Sequence, residues 1–146
     1  MATLKEMLAT GDKRTEVIDD ALQVLEAEVK DKGGISGVAI KTGYKVVKGL
    51  KPGFVRKAVD HMLDDFLDGL EPIYQEALAR QEPPGKYLES KRERVADALL
   101  AITDRRAENA EQGVLTKTYA KLRPTAKKHV EAAAPRLAQM LERHAG

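Results

Sequence analysis

Residues 30–81 read KDKGGISGVAIKTGYKVVKGLKPGFVRKAVDHMLDDFLDGLEPIYQEALARQ. In the second half of this stretch Val55, Val59, Met62, Leu63, Phe66, Leu67, Leu70, Ile73, Tyr74 and Leu78 recur at steps of three and four, the period of an amphipathic helix. No other part of the chain has so clear an apolar stripe, so this segment is expected to be the central core helix. Pro72 lies inside the pattern. It lacks a backbone donor and disfavours helical geometry at Glu71, which predicts a kink near Gly69–Pro72 or a new helix starting there.

The first half is less ordinary, with Gly37, Gly43, Gly49 and Gly53 set among Val38, Ala39, Ile40, Val46, Val47 and Leu50. Valine and isoleucine beside glycine suit a strand, but alternation of period two is not sustained. Lys41, Lys45 and Lys48 fall at i, i+4 and i+7, on one face of a helix. Each interior glycine costs a helix about 1 kcal/mol against alanine, so packing must rescue this one. Ala39-x-x-x-Gly43 and Gly49-x-x-x-Gly53 offer small surfaces for a close neighbour. No phosphate-cradling glycine motif is present. The expected arrangement is a helical hairpin turning through Leu50–Phe54, with Lys41, Lys45 and Lys48 facing Asp60, Asp64 and Asp68; the rival is that the basic face of one chain meets the acidic face of another.

On the N-terminal side, Thr3-x-x-Glu6 forms a capping box for a short first helix, and Gly11-Asp12 interrupts the chain. Val17, Ile18, Ala21, Leu22, Leu25 and Val29 then predict a helix from about Lys13 to Asp31, stopped by Gly33-Gly34. On the C-terminal side, Pro83-Pro84-Gly85 reads as a loop over 83–89, dividing an N-terminal half (1–82) from a C-terminal half (90–146). Ser90-x-x-Glu93 is a second capping box, opening a helix that ends around Asn109–Gly113. A short helix over about Leu115–Leu122 and a last one opened by Pro124, with a kink at Pro135, complete the expectation. The fold class is therefore all-α: a single-domain bundle of about five to seven helices with a central helical hairpin.

Composition agrees, since 42 % hydrophobic and 33 % charged residues are too apolar for a disordered chain and suit amphipathic helices. The chain has no cysteine, which removes disulfides and thiolate chemistry. No window approaches the length of a membrane span and the N-terminus carries no signal-like apolar core, so a soluble, cytoplasmic protein is expected. A formal net charge of +2 conceals strong segregation: residues 35–59 hold six basic and no acidic groups, and residues 60–82 hold one basic and seven acidic. Local fields therefore matter more than the total.

The run GGISGVAIKTGYKVVKGLKPGFVRKAVDHMLDDFLDGLEPIYQEA, residues 33–77, resembles a small bacterial family catalogued only as a domain of unknown function. That resemblance implies a compact, soluble helical protein. It carries no activity, substrate or catalytic residues with it.

Chemistry has few candidates. Asp60, Asp64, Asp68 and Glu71 make one helical stripe, but the paired Glu-x-x-His elements of carboxylate-bridged metal bundles are missing, and a solvated or salt-bridged face is the expectation. Ser36 and Ser90 stand at expected helix starts and read as caps rather than nucleophiles. His61 with Asp65 is the one acid–base pair worth inspection, with a surface ion pair as its ordinary role. Lys117, Lys121, Arg123, Lys127 and Lys128 form a second basic patch, free of acid between Glu111 and Glu131 and containing Tyr119. No catalytic, cofactor or metal residues are assigned.

The reading that follows is a non-enzymatic interaction or assembly module, with a protein partner or a second copy of itself. Its candidate surface comprises Lys41, Lys45, Lys48, Asp60, Asp64, Asp68, Lys117, Lys121, Lys127 and Lys128. The alternative is a binder of anionic surfaces, nucleic acid or membrane, through the two basic patches. A hydrophobic-ligand carrier or an enzyme ranks below both.

Overall fold

A computed structural model describes residues 3–110 and 113–145 and contains eight α-helices among them, with no strand. In chain order these are α1 (Leu4–Leu8), α2 (Gly11–Asp31), α3 (Gly34–Lys48), α4 (Phe54–Ala79), α5 (Pro84–Ser90), α6 (Arg92–Glu108), α7 (Gly113–Ala132) and α8 (Ala134–Ala145). The all-α expectation holds, including the helix assigned to the glycine-dotted segment 34–48.

The apolar stripe of α4 is the core, as its periodicity predicts. Leu63, Leu67, Ile73, Tyr74 and Ala77 are buried, and α1, α2, α3, α5 and α6 all pack against this helix. Leu4 and Leu8 of α1, Val17 and Ile18 of α2, Tyr87 and Leu88 of α5, Val95 of α6 and Leu141 of α8 fill the remaining volume. α1 is short, yet Leu4 is completely buried. Thr3 caps it as predicted, its hydroxyl accepting the Glu6 N–H at 3.1 Å. The Glu6 carboxylate accepts from the Thr3 hydroxyl rather than from the backbone amide that a full capping box uses.

Two prolines lie inside continuous helices. α4 runs unbroken through Pro72, and α7 runs unbroken through Pro124, where a new helix was expected. Both rings are exposed, as are Asp68 and Ala120, four residues earlier. The carbonyl that each proline leaves unbonded thus belongs to a residue on the wet face, where water can satisfy it. The actual break comes at Ala133. Pro135 follows as the second residue of α8, where its missing N–H costs little.

The segment 83–89, expected as a loop, is the helix α5. Pro84 supplies the pre-set φ of a first helical residue. The chain turns earlier, at Gln81, which takes the left-handed conformation (φ 57°). There the Glu82 N–H donates to the Ala77 carbonyl at 3.0 Å and the Gln81 N–H to that of Leu78 at 3.1 Å, a Schellman ending with glutamine in glycine's usual place. Gly85 is a contact glycine: a Cβ there would lie 2.7 Å from the Ala138 carbonyl oxygen and 2.5 Å from Glu142 Cγ. α5 and α8 meet at this point and cross the boundary between the two expected halves, so the halves share one core. Ser90 does not cap α6; its hydroxyl donates back to the Tyr87 carbonyl at 2.6 Å.

α3 and α7 form an outer layer. α3 buries only Gly37 and Gly43, and no α7 residue is fully buried. They approach closely because Gly43 has no side chain; a Cβ there would stand 2.9 Å from Leu122 Cδ1 and 3.1 Å from Thr118 Cγ2. This is the close neighbour expected at Ala39-x-x-x-Gly43.

Two outcomes test this packing. Gly85→Ala forces a methyl against a backbone carbonyl and should destabilise by about 1–3 kcal/mol, as overpacked cores do. Gly33→Ala, with open space around it and φ −128°, should leave the melting temperature within a degree or two by the small cost of unstrained surface changes. At the left-handed turn, Gln81→Gly should hold or raise the melting temperature, whereas Gln81→Val should cost about 1 kcal/mol or more.

Candidate interaction surface

The candidate charges divide into those already satisfied within the fold and those left over. The α4 carboxylates belong to the first group. Arg14 of α2 bridges Asp60 and Asp64 at 2.8 and 3.0 Å and also donates to the Ala9 and Asp60 carbonyls. Lys5 of α1 reaches Asp68 at 3.2 Å, and the Leu4 amide donates to Glu71 at 3.2 Å. The salt-bridged face is present, but its cations come from α1 and α2, not from the lysines of α3. The expected pairing of Lys41, Lys45 and Lys48 with Asp60, Asp64 and Asp68 is therefore corrected. Its physical reason is that α2 and α1 pack against α4 on the side where the stripe lies and bring Arg14 and Lys5 to it first.

The same holds for other candidates. Asp65 accepts from Arg106 at 3.4 Å, and Arg106 also donates to the His61 carbonyl at 2.8 Å, so Asp65 is engaged by an arginine of α6 rather than by His61. Lys48 and the Tyr44 hydroxyl both reach Glu26 of α2 at 2.9 Å, and burial together with that carboxylate pushes the Tyr44 phenol up to about 12. Lys127 pairs with Asp97 of α6 at 3.1 Å. Arg123 takes Asp104 at 2.9 and 3.2 Å, with the Tyr119 hydroxyl donating to the same carboxylate. Asp104 is held low mainly by Arg123. Among the described residues, no cluster of His, Asp or Glu is arranged to hold a metal ion.

Two open crevices are lined mainly by charges. One, of about 460 Å³, lies between Glu28, Lys32, Lys128, His129 and Arg136. The other, of about 350 Å³, lies beside Arg14, Arg56 and Asp60. Neither has the enclosed apolar lining a hydrophobic ligand needs. In the first, Glu28 is nearly buried and accepts from Lys32 at 3.0 Å and from Arg136, while the buried Nε2 of His129 has no hydrogen-bond partner. His129 is held below the usual imidazole range by burial first, then by Lys32 and Lys128.

What remains is on α3 and α7. Lys41, Lys45, Lys117, Lys121 and Lys128 are exposed and have no carboxylate partner among the described residues. Beside them stand the exposed large aliphatic side chains among the described residues: Ile35 at 93 %, Val38 at 64 %, Val114 at 48 % and Val46 at 41 %. Ile35, Val38, Ala39, Thr42 and Val46 share one face of α3, next to the row of Lys41 and Lys45. The two helices run antiparallel, because Lys32 before α3 donates to the His129 carbonyl while Gly43 meets Leu122 and Thr118. With the helices so placed and their inner sides on α2 and α6, the α7 row Lys117, Lys121 and Lys128 borders the far side of the α3 stripe. The outer face is thus an aliphatic strip between two rows of lysines, and the chain has no acidic residue over 32–59 or 113–130.

The exposed strip is the feature that periodicity did not single out. α3 is apolar on two faces, one inward through Ile40 and Val47 and one outward through Ile35, Val38 and Val46, and the lysine row separates them on one side only. That two-faced pattern is the signal in the sequence.

The satisfied pairs carry a pH dependence. Arg94 grips Glu76 at 2.8 and 2.7 Å and the Tyr87 hydroxyl donates at 2.8 Å, which holds the carboxyl down to about 2. A carboxyl depressed by folding stabilises above its ordinary value of 4.5 and loses that contribution as pH falls toward 2. Glu76→Gln should therefore melt below wild type at neutral pH, with a gap that closes between pH 4.5 and 2 in a series of thermal melts.

No curated protein and no solved structure matches the chain. A family model does, over residues 4–145 and so over nearly the whole length that the eight helices occupy. The chain belongs to the Family of unknown function (DUF6918).

Proposed function

We propose that the protein is a non-enzymatic interaction module that docks through the outer face of α3 and α7. The observation that carries this reading is the contrast between satisfied and spare groups. Arg14, Lys5, Arg106, Lys48 and Lys127 each have a carboxylate at home, whereas Lys41, Lys45, Lys117, Lys121 and Lys128 flank exposed Ile35, Val38 and Val46 without one. Aliphatic side chains clustered on a surface and framed by charge favour contact with something that removes them from water. The working surface is narrower than the full set of candidate charges. Asp60, Asp64, Asp68, Lys48 and Lys127 support the fold, and the remaining five lysines face outward.

The occupant of this face is a macromolecular surface: a protein, a second copy of the chain, or an anionic assembly. No helix among the described residues is long and apolar enough to cross a membrane, so docking from one side is the geometry proposed, and the cytoplasm is the setting it suits. Catalysis plays no part in this reading.

The test is fractionation of a host extract at low salt. Wild type should run in a high-mass or sedimentable fraction, and Val38→Asp with Val46→Asp should release it as a folded monomer. A wild-type chain that behaves as a free monomer in every fraction overturns the reading.

A further inference from the structure

We infer that the surface docked by the α3–α7 face is an anionic lipid bilayer, with the aliphatic strip entering the headgroup region and the two lysine rows contacting lipid phosphates and carboxylates. This rests on the docking reading above and names its occupant.

Three properties of the face select lipid over other partners. The first is composition. Protein interfaces are enriched in Tyr, Trp and Arg at their centre and depleted in Lys. This face has the opposite make-up: its spare charges are all lysines and its apolar groups are Ile, Val and Ala, while Tyr44, Tyr119 and Arg123 are turned to partners within the fold. The second is layout. Nucleic acid presents a line of phosphates, for which a strip led by Ile35 and Val38 between the cations has no use. A bilayer has charge at the surface and hydrocarbon beneath it, so cations on either side of an aliphatic strip match it layer for layer. Lysine stems add apolar length while their ammonium groups stay at headgroup level.

The third is reach and sign. From Ile35 to Val46 the strip spans about 16 Å along the helix, enough to lie flat across several headgroups. α3 has no carboxylate, and α7 has one, Glu131, beyond Lys128 at its C-terminal end. On the supporting helices, Glu26 and Asp97 are already bridged by Lys48 and Lys127. Over residues 32–59 and 113–130 the face therefore carries basic groups with no acid among them. Each lysine close to an anionic surface strengthens binding by about fivefold, and the effect is screened within a Debye length of ~8 Å at physiological salt. Binding should thus be reversible and strongly salt-dependent.

The test is co-sedimentation of the full chain with vesicles of equal parts phosphatidylserine and phosphatidylcholine, against vesicles of phosphatidylcholine alone, across a salt series. Wild type should bind the anionic vesicles at low salt and leave the neutral ones. Lys45→Gln with Lys121→Gln should weaken binding about 25-fold by the fivefold contribution of each lysine. Val38→Asn with Val46→Asn, which leaves the charge unchanged, should weaken it several-fold, and Lys86→Gln on α5 should leave it as it is. Circular dichroism confirms that each variant is folded. Failure to bind anionic vesicles at low salt overturns the inference, as does binding that the valine changes do not move or binding to duplex DNA of equal strength. If the vesicles fail while the α3–α7 face still holds the chain in a sedimentable complex from host extract, bilayer recognition falls and docking stands. If both fail, both fall.

Discussion

The fold depends on the need to cover a 26-residue helix on several sides at once. α4 buries Leu63, Leu67, Ile73, Tyr74 and Ala77, and no single neighbour can reach all of them. α1, α2, α5 and α6 each take part of that surface, and α8 closes over α1 and α5. Charge follows from this arrangement. Once α1 and α2 lie against α4, its stripe of Asp60, Asp64, Asp68 and Glu71 is within reach of Arg14, Lys5 and the Leu4 amide, and a cation from another helix is preferred to a row of like charges left facing water. Such exposed pairs contribute about 0 to 1 kcal/mol each, so burial sets the architecture and the pairs fix how the helices sit around it.

The helical class and the central role of α4 were legible in the sequence, because a period of three and four sustained over so many residues has one physical solution. The glycine-dotted segment was legible as a helix for a different reason, its lysine row. Residue type alone misleads at Pro124 and Pro84, which stand inside a helix and at the start of one where a break and a loop were expected. Whether a proline ends a helix depends on whether the carbonyl it strands can be hydrated, and that depends on which way the helix faces, a tertiary fact. Pro72 and Pro124 point to water and are tolerated; Pro84 starts a helix that its neighbours Tyr87 and Leu88 anchor in the core.

The candidate surface was legible in half. Lys41, Lys45, Lys117, Lys121 and Lys128 were all identifiable as basic faces, but their separation from Lys48 and Lys127 required knowing that Glu26 and Asp97 lie across the helix gap. The aliphatic strip was harder to find. Val38 and Val46 have the same residue type as Val47, and periodicity treats inward and outward valines alike until a neighbour is seen to cover one set and leave the other.

Gly43 has a further consequence for how the molecule breathes. By letting Leu122 and Thr118 sit against bare backbone, it brings α3 close to α7 with little side-chain interdigitation, and α3 is joined to the rest through Gly33-Gly34 at one end and Gly49 and Gly53 at the other. A helix attached by flexible joints and burying only glycines completely has a low free energy of local opening. Its amides should therefore exchange with solvent through excursions that leave the α4 core intact, so that a weakly protected helix and the most outward-facing apolar surface are the same element.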